Sequence, residues 1–189
     1  MDMLSVGALV AVAVGLVIYA MLPRRKEGRE VVVTESRPRR EGVALARALA
    51  GAGLKVTLIT EAQIGLFLPR CDALVVGADA LTDDDHLINK AGTRLAVMAA
   101  LECGVPAYGV AQTSKVCPPG WPTVLTPQDP ADVAQVSGLR VANIAFDSTP
   151  LAWFRAVFTE QGRLTAALLA RTRRGLARGS CLLMAEAGR

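Results

Sequence analysis

The sequence predicts an α/β fold with a mainly parallel sheet flanked by helices, and three observations carry that expectation. Strand-like and helix-like stretches alternate roughly every 20 to 30 residues between Glu30 and Ala111, as right-handed crossovers between parallel strands require. Ala73 to Val76 (ALVV) is a short apolar run with no polar alternation, the pattern of a strand covered on both faces. Gly77-Ala78-Asp79 follows at once and leaves an acidic residue at the carboxyl edge of the sheet, where open α/β folds bind their ligands.

Taken in order, the chain divides at 1–29, 30–165 and 166–189. Leu4 to Leu22 holds no charge and is followed by Pro23 and Arg24-Arg25-Lys26. At about 1.5 Å per residue such a run just spans a hydrocarbon core, so hydropathy alone favours a membrane anchor with a basic cytoplasmic flank. Asp2, the only charge before it, argues against a signal peptide. The competing reading is a buried helix, because Gly7, Ala8, Ala11, Ala13 and Gly15 permit close packing. Glu30 to Glu35 (EVVVTE) is a strand ended by Arg37-Pro38, and Gly42 opens a turn into a small-residue helix, Val43 to Ala52. Gly53 stops that helix, Lys55 to Ile59 is the next strand, and Glu61 to Leu68 forms a short helix before Pro69. After the central strand come a helix from Arg94 to Glu102 and a strand from Val105 to Ala111. The run Pro118-Pro119-Gly120-Trp121-Pro122 reads as a loop. Thr149-Pro150 sets up a helix from Leu151 to Phe158, with proline near its first turn.

Charge and composition narrow the function. Of the formal charge of +4, the segment from Arg163 to Arg189 supplies more than the whole, with six arginines against Glu186. The body is then about −1, which argues against a nucleic-acid-binding face. Cys71, Cys103, Cys117 and Cys181 form no CxxC pair, as expected for a reduced, cytoplasmic protein. His86 is the only histidine, which excludes a multi-histidine metal site and a serine-type triad, and it reads as a surface loop residue. Asp83-Asp84-Asp85 lacks the spaced oxygens of a calcium loop and reads as a solvated turn, so no metal and no cofactor are expected. Arg39-Arg40 and Arg171 to Arg178 read as solvated faces. No GxGxxG or GxxxxGK[ST] fingerprint occurs.

Asn89-Lys90 stands ten residues beyond Asp79, just before Ala91-Gly92-Thr93 and a helix. An amide, an ammonium and a helix N-terminus could converge there on an anion. On the alternative reading Asp79 caps a turn and Lys90 is solvated.

Four motifs in order now bear on that choice: VTESRPRREG (Val33–Gly42), VVGADALTDDDHLINKAGT (Val75–Thr93), AQTSKV (Ala111–Val116) and VANIAFDSTP (Val141–Pro150). Together they resemble the family that joins the regulatory subunits of initiation factor 2B with isomerases of methylthioribose 1-phosphate and ribose 1,5-bisphosphate. The resemblance covers nearly the whole chain as that family's C-terminal Rossmann-like domain. It implies a homodimer through this domain, and it turns Leu4 to Leu22 into the packed helix before the first strand, since Gly7-Ala8-Leu9 and Gly15 keep the family spacing. Membrane attachment is then not expected.

The resemblance also implies site residues. Asp79 falls on the catalytic aspartate of the G-A-D motif, Asn89 and Lys90 on the substrate-binding pair, and Lys115 on a lysine that contacts substrate in the bisphosphate isomerases. Leu4 stands where the catalytic cysteine would be, and Glu41 where the isomerases commonly carry glutamine. The family's N-terminal helical domain, with its phosphate-gripping arginines, is expected to be missing. Two classes of function stay open. One is a non-catalytic or regulatory domain that binds a phosphorylated sugar or nucleotide. The other is an aldose–ketose isomerase completed by a partner chain.

Overall fold

The computed structural model describes residues 30–121, 125 and 127–176, in two compact units, Met1–Phe67 and Leu68–Arg189. The apolar run from Leu4 to Leu22 lies outside the described residues. Among the described residues no helix is long and apolar enough to cross a membrane.

The first unit is a β-α-β crossover. β1 (Glu30–Thr34) leads through a tight loop to α1 (Glu41–Gly51), and β2 (Lys55–Ile59) returns parallel to β1, with Val32 opposite Thr57. Val33, Ala46 and Leu49 are buried between strand and helix, with Val31, Leu45, Leu54 and Val56 packed around them. The loop after β1 is held at its start. Glu35 N–H donates to the Ile59 carbonyl at 2.8 Å, and Ser36 N–H to Glu61 Oε1 at 2.7 Å. Arg40 stands at the helix entry in the left-handed region, φ 58°, and the Arg37–Pro38 peptide is cis. A short turn of 3-10 helix, Glu61–Gln63, and α2 (Ile64–Phe67) close the unit.

The second unit is built on two sheets. β3 (Leu74–Gly77), β6 (Ala107–Val110) and β8 (Ala156–Thr159) are parallel, with the two-residue β9 (Gly162–Arg163) antiparallel on the edge. The other sheet is antiparallel: β4 (Ala80–Leu81), β5 (His86–Lys90) and β7 (Phe146–Pro150). Among its described residues this unit also carries α3 (Thr93–Glu102) after β5 and α4 (Ala166–Gly175) after β9. The fold class is therefore the expected mixed α/β arrangement of parallel sheets with helices.

The sheets meet through one face of β5. Leu81, Leu87 and Thr149 stand in register across the antiparallel sheet and are fully buried. A Cβ on Gly109 in β6 would come within 3.0 Å of both Leu87 and Val157, so this glycine lets the layers close.

Two sequence expectations need correction. Leu151 to Phe158 is not a helix: Leu151–Trp153 is one 3-10 turn, and the chain then enters β8. The β-branched and aromatic residues Val157, Phe158 and Thr159 favour a strand, and β6 offers them an open parallel edge, Tyr108 opposite Ala156. His86 is not a loop residue either; it is the first, half-buried residue of β5, paired with Pro150.

Candidate functional site

The second unit carries four of the five expected site residues. Asp79 lies just past the carboxyl end of β3, and its N–H donates to the Ile88 carbonyl at 2.8 Å. Lys115 ends the 3-10 turn Thr113–Lys115, which leaves the carboxyl end of the neighbouring parallel strand β6. The chain beyond it returns to β4: Val116 bridges Leu81, and Cys117 N–H donates to the Leu81 carbonyl at 2.8 Å. Asp79 and Lys115 thus leave adjacent strand ends and flank the same short strand. Glu160 secures the turn, accepting from Thr113 N–H at 2.9 Å and from the Thr113 hydroxyl. Burial pushes the Glu160 carboxyl up, but the Thr113 donors outweigh it and hold the group below the usual carboxylate range.

Asn89 and Lys90 are the last two residues of β5, so their side chains leave opposite faces. Asn89 lies across from Asp147 and donates through Nδ2 to Thr93 Oγ1 at 2.9 Å. The Thr93 hydroxyl in turn donates to the Lys90 carbonyl at 2.7 Å. Lys90 shares the other face with Ile88 and stands opposite Phe146, beside the cluster of Ala80, Ile88 and Cys117. Sequence reasoning grouped Asn89 and Lys90 because they are consecutive; the strand separates them.

The start of α3 already holds an anion, and it is the protein's own. Gly92 N–H donates to Asp147 Oδ2 at 2.8 Å, and Arg94 N–H to Asp147 Oδ2 and Oδ1 at 3.0 and 3.2 Å. Gly92 precedes the helix at φ 105°, a conformation suited to glycine, and carries no side chain to cap it. The carboxylate of Asp147 serves instead, 55 residues away in sequence. Half-burial pushes the Asp147 carboxyl above its ordinary range, against the pull of the Arg94, Gly92 and Thr93 N–H groups. The expected convergence of a ligand on the helix N-terminus is therefore corrected: Asp147 fills that place. Arg94 completes the clamp by donating to the Ser148 carbonyl at 2.8 Å and lying 4.6 Å over the Trp153 ring. Asp147 was missed from sequence, although a glycine at a helix entry and a lone carboxylate in FDSTP were signals for it. Asp147→Ala should cost about 0.5–2 kcal/mol, because it removes the cap from the half-buried Gly92 and exposed Arg94 N–H groups. Urea unfolding reads this directly, and an unchanged midpoint would mean that solvent satisfies those donors.

The aspartate run forms the turn of the β4–β5 hairpin. Asp83 Oδ2 accepts from Gly120 N–H at 2.6 Å, Asp84 accepts from the Thr82 hydroxyl, and Asp85 takes φ 59°. Among the described residues no group of three or more His, Cys, Asp or Glu side chains could hold a metal ion. Glu41, the fifth expected site residue, belongs to the first unit, where it is the exposed first residue of α1.

With this geometry in view, the comparisons place the chain: it belongs to the initiation factor 2 subunit family, whose model matches residues 8–166. A Pyrococcus abyssi protein named as translation initiation factor eIF-2B subunit 2-like is 38% identical over 150 residues, 78% of this chain and 52% of that one. A ribose 1,5-bisphosphate isomerase of Archaeoglobus fulgidus is 39% identical over 142 residues, 71% of this chain and 45% of that one. The crystal structure of the Pyrococcus horikoshii translation initiation factor eIF-2B is similar, with a TM-score of 0.71 and 32% identity, over 86% of this chain and 62% of that one. The chain spans about half the length of the curated relatives it matches.

Proposed function

We propose that this chain is a non-catalytic or regulatory member of the family that binds a phosphorylated sugar or nucleotide. Asp79, Lys90 and Lys115 are the residues in direct reach of the ligand, with Asn89 supporting them. The observation that carries the reading is the placement of Asp79 and Lys115 just past the ends of adjacent parallel strands, where α/β sheets collect ligands. Two ammonium groups supply the charge a phosphate needs.

The chemistry argues against turnover. Moving hydrogen between two adjacent sugar carbons takes one group at the carbon-bound hydrogen and another at the oxygen protons. Asp79 can fill one role, but Leu4 stands where the family resemblance puts the thiol. A single acid–base group contributes about 10²–10⁴-fold, so its loss removes most useful rate. The second reading, an isomerase, is favoured by the retained G-A-D aspartate and by relatives named as ribose 1,5-bisphosphate isomerase. It requires a thiol other than residue 4, which is leucine. By the same family likeness we propose a homodimer, which light scattering at micromolar concentration checks; a monomer there would contradict it.

Binding is testable by melting. At 100 times its dissociation constant a ligand adds about 2.7 kcal/mol, roughly 5–10 °C in a domain this size. Ribose 1,5-bisphosphate and AMP are the probes. Lys90→Ala should cut the shift to about half or less at the same ligand concentration, since a charge-assisted contact is worth roughly 1.5–3 kcal/mol. Asp79→Asn should keep or tighten binding, because it removes a negative charge near the anion. The site fails if Lys90→Ala binds as well as the parent.

A further inference from the structure

We propose that Arg173 is a positioning residue which sets the β4–β5 hairpin, and through it Asp79, Asn89 and Lys90, from a helix beyond the family match. That match ends at residue 166, where α4 begins. Thr165 caps α4 by accepting from Leu168 N–H at 3.1 Å, and buried Leu169 anchors it. One turn on, the Arg173 side chain is 17% exposed, unlike the solvated arginine that the basic tail suggested. Its Nη2 donates to the Thr82 carbonyl and stands 3.4 Å from Asp85 Oδ1.

Both acceptors sit in the hairpin turn. Thr82 is 2% exposed, its N–H donates to the His86 carbonyl at 2.9 Å, and Asp85 N–H returns to the Thr82 carbonyl at 3.3 Å. Leu151 N–H donates to the Asp85 carbonyl at 2.8 Å, so the turn is also tied to the end of β7. A ribbon fixed at its closed end is fixed at its open end too, and the open end is where Asp79 meets Ile88 and where Asn89 and Lys90 leave β5. β4 has only two residues and cannot hold that register by its own ladder. Arg173 adds a constraint at the closed end, beside the Val116 bridge to Leu81 and the β5–β7 ladder. Its Nε is buried with no acceptor among the described residues, a cost that a surface role would avoid.

This inference rests on the proposed ligand site, and the test separates the two. Amide exchange by mass spectrometry on the full chain, with no ligand, compares the parent with Arg173→Ala and Arg173→Lys. Arg173→Ala should speed exchange at Asp79, Thr82 and Asp85 about tenfold or more while the β3–β6 ladder stays protected. Arg173→Lys, which keeps the cation, should restore part of that protection. Calorimetry with ribose 1,5-bisphosphate should show affinity falling about tenfold in Arg173→Ala and partly recovering in Arg173→Lys. Unchanged hairpin exchange, or a rise that spreads equally to β3 and β6, would overturn the positioning role. Failure of the parent chain to bind either probe would instead sink the ligand reading, and the exchange data would still decide for or against Arg173.

Discussion

Gly42→Ala should destabilise the first unit by about 3 kcal/mol, the upper part of the range for overpacking. The added Cβ would stand 1.8 Å from the Thr34 carbonyl oxygen, 2.9 Å from its carbon and 3.0 Å from the Glu35 carbonyl carbon. These are main-chain atoms, so no rotamer change relieves the clash. They cannot drift away either, because β1 is laddered to β2 and Glu35 N–H is tied to the Ile59 carbonyl at 2.8 Å. The glycine is needed here for close approach, since α1 begins directly against the end of β1, with Gly42 N–H donating to the Glu35 carbonyl at 3.2 Å. Urea unfolding followed by circular dichroism measures the loss. A change below about 0.5 kcal/mol, the usual surface value, would mean that the helix entry is not this tight.

Leu87→Ala should cost about 2–5 kcal/mol, as deletion of a fully buried leucine does where the site cannot collapse. Leu87 is 0% exposed, stands between Leu81 and Thr149 in register, and faces Gly109 and Val157 of the other sheet. The gap it leaves is bounded by strands on both sides, which limits collapse. A second substitution makes the claim sharper. Gly109→Ala should destabilise the parent, because its Cβ would meet Leu87 Cδ1 at 3.0 Å, but cost less in the Leu87→Ala background, where that atom is gone. A coupling energy of about 0.5–3 kcal/mol between the two positions is expected. Strict additivity would show that the layers do not touch there.

The parts of this fold legible in the sequence were those whose signals are local. The β-branched run in β1, the small-residue helix α1, the punctuation by Gly53, and the apolar β3 all announce themselves within a few residues. The antiparallel sheet did not, because β4 has two residues and β5 (HLINK) is polar at both ends. Pro150 reads equally well as a helix entry or as a strand end, which is how β8 came to be expected as a helix. At the candidate site, strand-end logic pointed to Asp79 and helix-start logic to Asn89 and Lys90, and family likeness was needed for Lys115 and Glu41. Asp147 and Arg173 stayed hidden because their partners lie 55 and 91 residues away. Their chemistry is plain only when the cap and the hairpin turn are seen to need it.

The central claim is binding without turnover. Phosphorus NMR of the full chain with ribose 1,5-bisphosphate tests it most directly, because one spectrum reports both events. The account predicts saturable line broadening or shift that Lys90→Ala weakens, and conversion of aldose to ketose no faster than without protein. Conversion well above that background, abolished by Asp79→Asn, would contradict it and make this chain an isomerase.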